Sequence, residues 1–520
     1  MNSDQYWDSF SILPVDMEYL TNFLLEEEEP QGLETLAWTL IQHRNQQTLE
    51  LAKESLSQGR VYRPKGSYQV GEKIIFPHLG NLLGEVVAVR AGQNPEYEPF
   101  SVLQVQTEDG PREFAAELSA GHPLDEATYL PTNDISPEET WKKYGLRVQM
   151  LLGERLRQDT NFTIVGDQWF VRDLIMSVPP VQLNIAEAML DMAGGGAIVT
   201  QVFINEMEFP PEIPAALQAF SLEYAMLRDR RFDEVGPADQ ALWYLRSMEP
   251  SEVLEIPRLL RYLPTPYNRT LINADSLSSA LQVQDEWSEY SVADEDETVH
   301  VTEPFTVALL YPHWRSGTLP LTSDLAQLFP TARITDHIQF TFVDGETGDK
   351  FPGWVVRSGR YVYGLAEWYP KYHLIPGAYV DLQRGEEPGT IVVRAHSLRA
   401  KHGEWLRSIT VGEDTFSLEV TRYPVFCEFN EMLALGVPDP EKVDVLSRHL
   451  QHRSLESLID QIFRELVVLS LQRAVHIATL YSILNLFRRV PPAPVQAILT
   501  AGQQYVSLQN NYWSYQEMED

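Results

Sequence analysis

A single cysteine, Cys427, is all the thiol chemistry this 520-residue chain contains. An internal disulfide and any multi-cysteine metal site are thereby excluded, which suits a reducing compartment. Long apolar runs are also missing. The longest, Leu466 to Phe487, is interrupted by Arg473 and His476, so it reads as a buried helix or helix pair and not as a membrane span. Positive charge is scarce, with 40 Lys and Arg against 74 Asp and Glu and a formal net charge of −34. A surface that negative repels phosphate backbones at long range and attracts basic partners, so generic nucleic-acid affinity is not expected. Residues 1–43 hold nine acidic side chains and no Lys or Arg, the reverse of a basic secretory leader, and the expected location is cytoplasmic. Motifs for chemistry are absent too: there is no Gly-rich phosphate loop, His-Glu-x-x-His pair, nucleophile elbow or zinc-ligand spacing. The run Asp344–Asp349 has the look of a calcium loop but lacks a ligand at the twelfth place, so a hairpin turn is expected there. No catalytic residue, cofactor or metal is expected.

What is present is ordinary globular composition, 44% hydrophobic and 22% charged, in a chain too long for one core. The most legible stretch runs from Val181 to Arg246. A helix with Leu183, Ala186 and Leu190 on one face stops at Gly194-Gly195-Gly196, and a short helix with Val202, Phe203 and Met207 follows Thr200. A third helix starts near Pro214 and is lined by Leu217, Phe220, Tyr224 and Leu227. Two β-like runs, 231–235 and 242–245, turn about Gly236-Pro237. Three helices and a hairpin spell a winged helix. The closing signature also occurs earlier, where Leu156, Asp159, Phe162, Val165, Gly166 and Trp169 match Leu227, Asp229, Phe232, Val235, Gly236 and Trp243. Two copies of one unit are therefore expected.

The run Leu227–Gly236 leading to Trp243, with the helix 184–193 and Ile198-Val199-Thr200 before it, resembles the HARE-HTH winged-helix domain shared by the RNA polymerase delta subunit, chromatin-linked proteins and some restriction enzymes. That resemblance implies a role around transcription or DNA-acting complexes, and no catalysis. Residues 301–425, through Trp-Val-Val, Tyr-x-Tyr-Gly-Leu and Pro-Gly-Ala-Tyr-Val phrases, resemble pseudobarrel DNA-binding domains.

The expected fold class is α+β multidomain. It comprises an acidic N-terminal helical segment (1–60), a small SH3-like β barrel (61–122), a partial first winged-helix copy (123–175) and a second winged helix (176–268). An acidic linker (269–300), a β-rich pseudobarrel-like domain (301–425) and a C-terminal helical domain (426–520) complete it. The helices missing from the first copy are expected from the N-terminal segment, with the small barrel inserted. The linker assignment rests on nine acidic residues and no Lys or Arg between Thr270 and His313.

Candidate contacts follow from charge. Residues 174–227 hold six acidic side chains and no Lys or Arg, so the second winged helix is expected to bind protein rather than read DNA with its third helix. Arg228, Arg230 and Arg231 at the wing are its only cations for a phosphate. In the β-rich domain Arg394, Arg399, Lys401, His402 and Arg407 lie near Arg357, Arg360, Tyr361, Tyr363 and Trp368, a mixture of cations and aromatics suited to stacked bases. The function expected is that of a non-enzymatic transcription- or DNA-associated regulator, with a protein partner such as RNA polymerase or another DNA-acting complex, nucleic-acid contact through 301–425 and no membrane. The rival is an acidic adaptor or DNA-mimic of a defence or restriction complex that binds no nucleic acid.

Overall fold

The computed structural model describes residues 3–80, 82–94, 98–126, 136–194, 196–272, 285–287 and 304–516. It is a mixed α+β chain that divides into two compact units, Met1–Ser177 with Pro211–Phe220, and Val178–Pro210 with Ser221–Asp520.

The first unit opens with α1 (Ser3–Asp8), α2 (Pro14–Glu27), the two-residue β1 (Gln31–Gly32) and α3 (Leu33–Ser57). A five-stranded sheet follows, β2 (Arg60–Val61), β3 (Lys73–Phe76), β4 (Leu82–Ala91), β5 (Ser101–Thr107) and β6 (Gly110–Ala116), neighbours in that order and antiparallel except for the parallel β2–β3 pair. Then come α4 (Pro137–Gln158) and the hairpin β7 (Phe162–Val165) and β8 (Gln168–Val171). Local chemistry explains α4. Ser136 accepts the Glu139 amide at 3.2 Å, Pro137 takes the first helical position, and Glu138 and Glu139 at one end with Arg155 and Arg157 at the other match the helix dipole. Its buried face carries Tyr144, Val148, Leu152 and Leu156. Gly153 lets α3 come close, because a Cβ there would stand 3.2 Å from Leu33 Cδ2.

In the second unit α5 (Pro180–Met192), β9 (Ile198–Val199), α6 (Thr200–Glu206), α7 (Ala215–Arg228) from Ser221 onward, and the hairpin β10 (Phe232–Glu234) and β11 (Leu242–Leu245) follow one another. Ala186, Leu190, Phe203, Met207, Leu222, Met226, Phe232 and Trp243 form its core. A curled seven-stranded half-barrel comes next, from β12 (Phe305–Ala308), β13 (Thr318–Pro320), β14 (His337–Asp344), β15 (Lys350–Val356), β16 (Tyr361–Tyr363), β17 (Tyr379–Arg384) and β18 (Thr390–Ala395). Their order is β12-β17-β18-β14-β15-β16-β13, with β14 and β18 parallel. Along β14 the alternation of Ile338, Phe340 and Phe342 supplies the inner face. Asp344–Asp349 is the turn of the β14–β15 hairpin.

Two elements differ from the sequence expectation. Residues 397–427 form a long antiparallel ribbon, β19 (Ser397–Val411) and β20 (Phe416–Cys427), whose first strand was hidden by its charges. The C-terminal region is not all helix. After α8 (Pro440–Leu450), α9 (Leu455–Leu469), β21 (Ala474–His476), α10 (Ile477–Phe487) and α11 (Pro492–Ala501), the described chain ends in the hairpin β22 (Tyr505–Ser507) and β23 (Tyr512–Tyr515). The apolar run Leu466–Phe487 is thus helix, strand and helix, and no described helix is long and apolar enough to cross a membrane.

Among the described residues one arrangement therefore occurs three times. Helix, two- or three-residue strand, helix, helix and hairpin succeed one another as α2-β1-α3-α4-β7-β8, as α5-β9-α6-α7-β10-β11 and as α9-β21-α10-α11-β22-β23. In each, the second hairpin strand is central in a three-stranded sheet, and its second residue is a buried tryptophan facing the short strand: Gln31 opposite Trp169, Ile198 opposite Trp243, Val475 opposite Trp513. In the first copy the five-stranded sheet lies between the second and third helices.

Candidate interaction surfaces

The three third helices differ in the side chains they offer. On α4 the exposed face carries Lys142, Lys143, Leu146, Arg147, Met150 and Arg157, with Glu138 and Glu139 confined to the first turn and Glu154 near the far end. Leu146 is 79% and Met150 65% exposed. Such a strip, cationic and apolar together, is unusual in a chain of net charge −34. The corresponding α7 contains Glu223 and no Lys or Arg before Arg228 at its last position. The third, α11, has no charged residue, and most of it is buried. Of these three helices, α4 alone exposes several cations along its length.

The first helices share a different property. Six positions before each short strand stands an exposed apolar residue, Leu25, Met192 and Val468. In α5 it ends a stripe of Val181, Ile185, Ala188 and Met192, exposed at steps of four, three and four, opposite the face that buries Ala186 and Leu190. Glu187 and Asp191 flank that stripe, and the helix has no Lys or Arg.

Of the residues singled out from sequence for nucleic-acid contact in the β-rich domain, most of those with described side chains are engaged internally. Tyr361 is fully buried and donates its hydroxyl to the Glu252 carbonyl; Trp368 is buried and its Nε1 donates to Asp344 Oδ2 at 3.2 Å. Both rings are core, a correction to their reading as stacking platforms. Tyr363 is half-buried. Arg407 donates to the Glu431 and Met432 carbonyls. Arg357 donates to the Pro330 carbonyl at 3.3 Å, and Arg360 to the Glu286 carbonyl at 3.0 Å while lying 4.8 Å over the Trp287 ring. Arg394 lies across Gly345, where a Cβ would meet its Cγ at 2.2 Å. Arg399, Lys401 and His402 are on β19, and their side chains fall outside those described. At the hairpin of the second copy, Arg228 bonds Tyr224, Arg230 is exposed, and Arg231 grips Asp229 (2.6 Å), Glu187 and Asn184. Sequence reasoning overlooked Trp405, 70% exposed and opposite Arg422 on the ribbon; strand alternation through 403–411 was the available signal.

No protein family, curated protein or solved structure matches the chain.

The acidic stretch between Thr270 and His313 is more than a linker. Asp285, Glu286 and Trp287 are built into the second unit; residues 273–284 and 288–303, with the tetrad Asp294–Glu297, lie outside the described ones. Asp285 and Glu286 share the buried guanidinium of Arg489, each at 2.6 Å. A second ionisable cluster was equally invisible, because its members are far apart in sequence and belong to no motif. Asp233 of β10, Glu249 beyond β11 and His337 at the start of β14 place His337 Nδ1 3.5 Å from Glu249 Oε2 and 3.8 Å from Asp233 Oδ2. Burial, reinforced by the Glu249 charge, pushes Asp233 up to about 6, and the Glu249 carboxylate raises His337 above its ordinary value despite burial.

Proposed function

We propose that the chain is a non-enzymatic, DNA-associated regulatory protein built on three winged-helix repeats, in which the third helix of the first repeat touches nucleic acid and the first helices dock protein. The partition of charge among the three third helices supports this reading. A winged helix that reads DNA lays its third helix in the major groove and needs basic contacts to phosphate. α4 has them, α7 has no cation before its last residue and α11 is mostly buried. The HARE-HTH resemblance and an SH3-like interpretation of the β2–β6 sheet belong to the same proposal, as does a partner from the transcription machinery.

The test is duplex-DNA binding by fluorescence anisotropy at several salt concentrations, with full-length protein and its K142E/R147E variant. Each phosphate contact contributes about 0.9 to the slope of log affinity against log salt, so the variant is expected to lose roughly two units of slope. R230E serves as the comparison and should lose at most one. Salt-insensitive binding, or a variant indistinguishable from wild type, would remove nucleic acid from the proposal.

A second reading, the acidic adaptor, is favoured by the stripe on α5. Its occupant would be an amphipathic partner helix with basic flanks, matched to Glu187 and Asp191. A photo-crosslinker at Ala188 should capture a segment rich in Lys and Arg, and I185K/M192K should abolish that capture with the melting temperature unchanged. A crosslink to an acidic or unstructured segment would contradict it.

A further inference from the structure

We propose that Asp233, Glu249 and His337 form a binding site for one first-row transition dication, Zn2+ or Mn2+, at the junction between the hairpin of the second repeat and the half-barrel. The cluster alone would be an ordinary acidic patch with a histidine; the state of Glu249 distinguishes it. The Glu249 side chain has no exposed surface, yet among the described residues neither of its carboxylate oxygens finds a hydrogen-bond donor. Buried carboxylates in folded proteins are satisfied by donors, cations or both, because an ionised oxygen removed from water without them is strongly destabilising. His337 Nδ1 likewise has no hydrogen-bond partner among the described residues, since its approach to Glu249 is ionic rather than a formed bond. Unpartnered atoms of Glu249 and His337 thus stand 3.5 Å apart, with an Asp233 oxygen 3.8 Å from the same imidazole nitrogen.

The spacing fits an ion. Two ligands bound at about 2.1 Å to a tetrahedral cation lie about 3.4 Å apart. The histidine nitrogen is 3.5 Å and 3.8 Å from the two carboxylate oxygens, and all three ligand atoms lie within 4.8 Å of one another. A contraction of a few tenths of an ångström brings the histidine nitrogen to ligand spacing from both oxygens. One imidazole nitrogen with two carboxylate oxygens selects Zn2+ or Mn2+ over Ca2+ and Mg2+, which prefer oxygen alone. The surroundings are built to hold the ligands. Asp233 is held in β10 by its pairing with Tyr244, and the ring of Tyr244 meets Trp354 edge-on at 5.2 Å. Gln339 N donates to the Val235 carbonyl at 2.9 Å, joining the hairpin to β14 two residues from His337. Among the described residues, Asp336 and Arg246 are the other charged groups acting on the cluster. A bound cation would replace repulsion between Asp233 and Glu249 by shared coordination and so lock the repeat to the half-barrel. His396 offers a contrast. It stands 2.8 Å from Asp381 and 3.1 Å from Glu428, is 30% exposed, and its carboxylate neighbours are not buried without donors.

The experiment titrates chelator-treated full-length protein with ZnCl2, MnCl2 and MgCl2 by calorimetry, alongside E249Q, H337Q and, as a control, E428Q. The proposal expects one saturable site for Zn2+ or Mn2+, affinity at least about tenfold weaker in E249Q and H337Q, wild-type affinity in E428Q, and a melting temperature raised by about 3–6 °C in saturating metal. Cobalt absorption bands that vanish in H337Q would identify the imidazole as a ligand. Near-UV circular dichroism without metal establishes that each variant is folded; if E249Q is not, D233N takes its place. No saturable binding, binding unchanged in both folded variants, or Mg2+ bound as tightly as Zn2+ overturns the proposal.

Discussion

Replacing Arg489 with methionine is expected to cost about 3–5 kcal/mol of stability in the second unit, the loss that follows when one partner of a buried ion pair is removed. The reason lies in how completely the guanidinium is used. Its NH2 bonds Asp285 and Glu286 at 2.6 Å, Nε reaches the other Glu286 oxygen at 3.0 Å, and NH1 reaches Asn485 at 2.8 Å, Tyr481 at 3.2 Å and the Val490 carbonyl at 3.3 Å. Glu286 is further held by His313 Nε2 at 3.2 Å, and His313 Nδ1 by Thr318 at 2.9 Å. Arg489, Asp285, Glu286 and His313 are buried. Without Arg489, two carboxylates stay in the core with too few donors. Chemical denaturation followed by circular dichroism measures the loss, and the triple variant D285N/E286Q/R489M should recover at least half of it, because the penalty is the uncompensated charge. A loss in R489M below about 1 kcal/mol would mean that the core admits water or rearranges around the acids. The same network sets an acid response. Burial alone would raise Glu286, but Arg489 and His313 outweigh it and hold the carboxyl below its ordinary value of 4.5. A depressed carboxylate stabilises above its unfolded value and loses that contribution as pH falls through its folded value. Wild type should therefore weaken below about pH 4.5 more steeply than E286Q.

The clasp also shows where legibility ended. Asp285 and Glu286 sit among nine acidic residues with no cation between Thr270 and His313, and their partner is Arg489, about two hundred positions later. Only the fold brings that charge across. The repeat at 180–245 was readable because periodicity, a glycine stop and a hairpin turn coincide within 66 residues, each a local consequence of backbone chemistry. The third copy was not, although Trp513 stands where Trp169 and Trp243 do. Its hairpin lacks the Val-Gly of the other two, its first strand begins with Tyr505 instead of phenylalanine, and its second and third helices are apolar on most sides, which erases their amphipathic period. Clusters made from distant residues, such as Asp233 with His337, leave no local pattern at all. The basic strip on α4 lay open to view at Lys142, Lys143 and Arg147, but only the burial of Tyr144 and Val148 on the opposite face shows that these cations share one exposed side.

Alanine in place of each repeat's tryptophan should destabilise by about 3–5 kcal/mol, the usual cost of removing a buried indole. The effect should be resolved by unit: W169A lowers the transition of the unit that contains residues 1–177, whereas W243A and W513A lower that of the unit containing 221–520. Trp243 carries an additional polar role. Its Nε1 donates to Thr200 Oγ1 at 2.9 Å, the Thr200 hydroxyl donates to Glu223 at 2.7 Å, and Arg333 donates to the other Glu223 oxygen at 2.9 Å. Hairpin, second helix and third helix are thus joined by one buried chain of hydrogen bonds. W243F keeps most of the ring volume but removes the donor, and Thr200 retains Glu223 as acceptor, so its expected cost is about 1–2 kcal/mol. Hydrogen exchange of the amides on both sides of each hairpin, compared with global denaturation, reads the result. If W513A left its three-stranded sheet protected while W169A and W243A opened theirs, the third arrangement would share an outline with the first two without sharing the way it is held together.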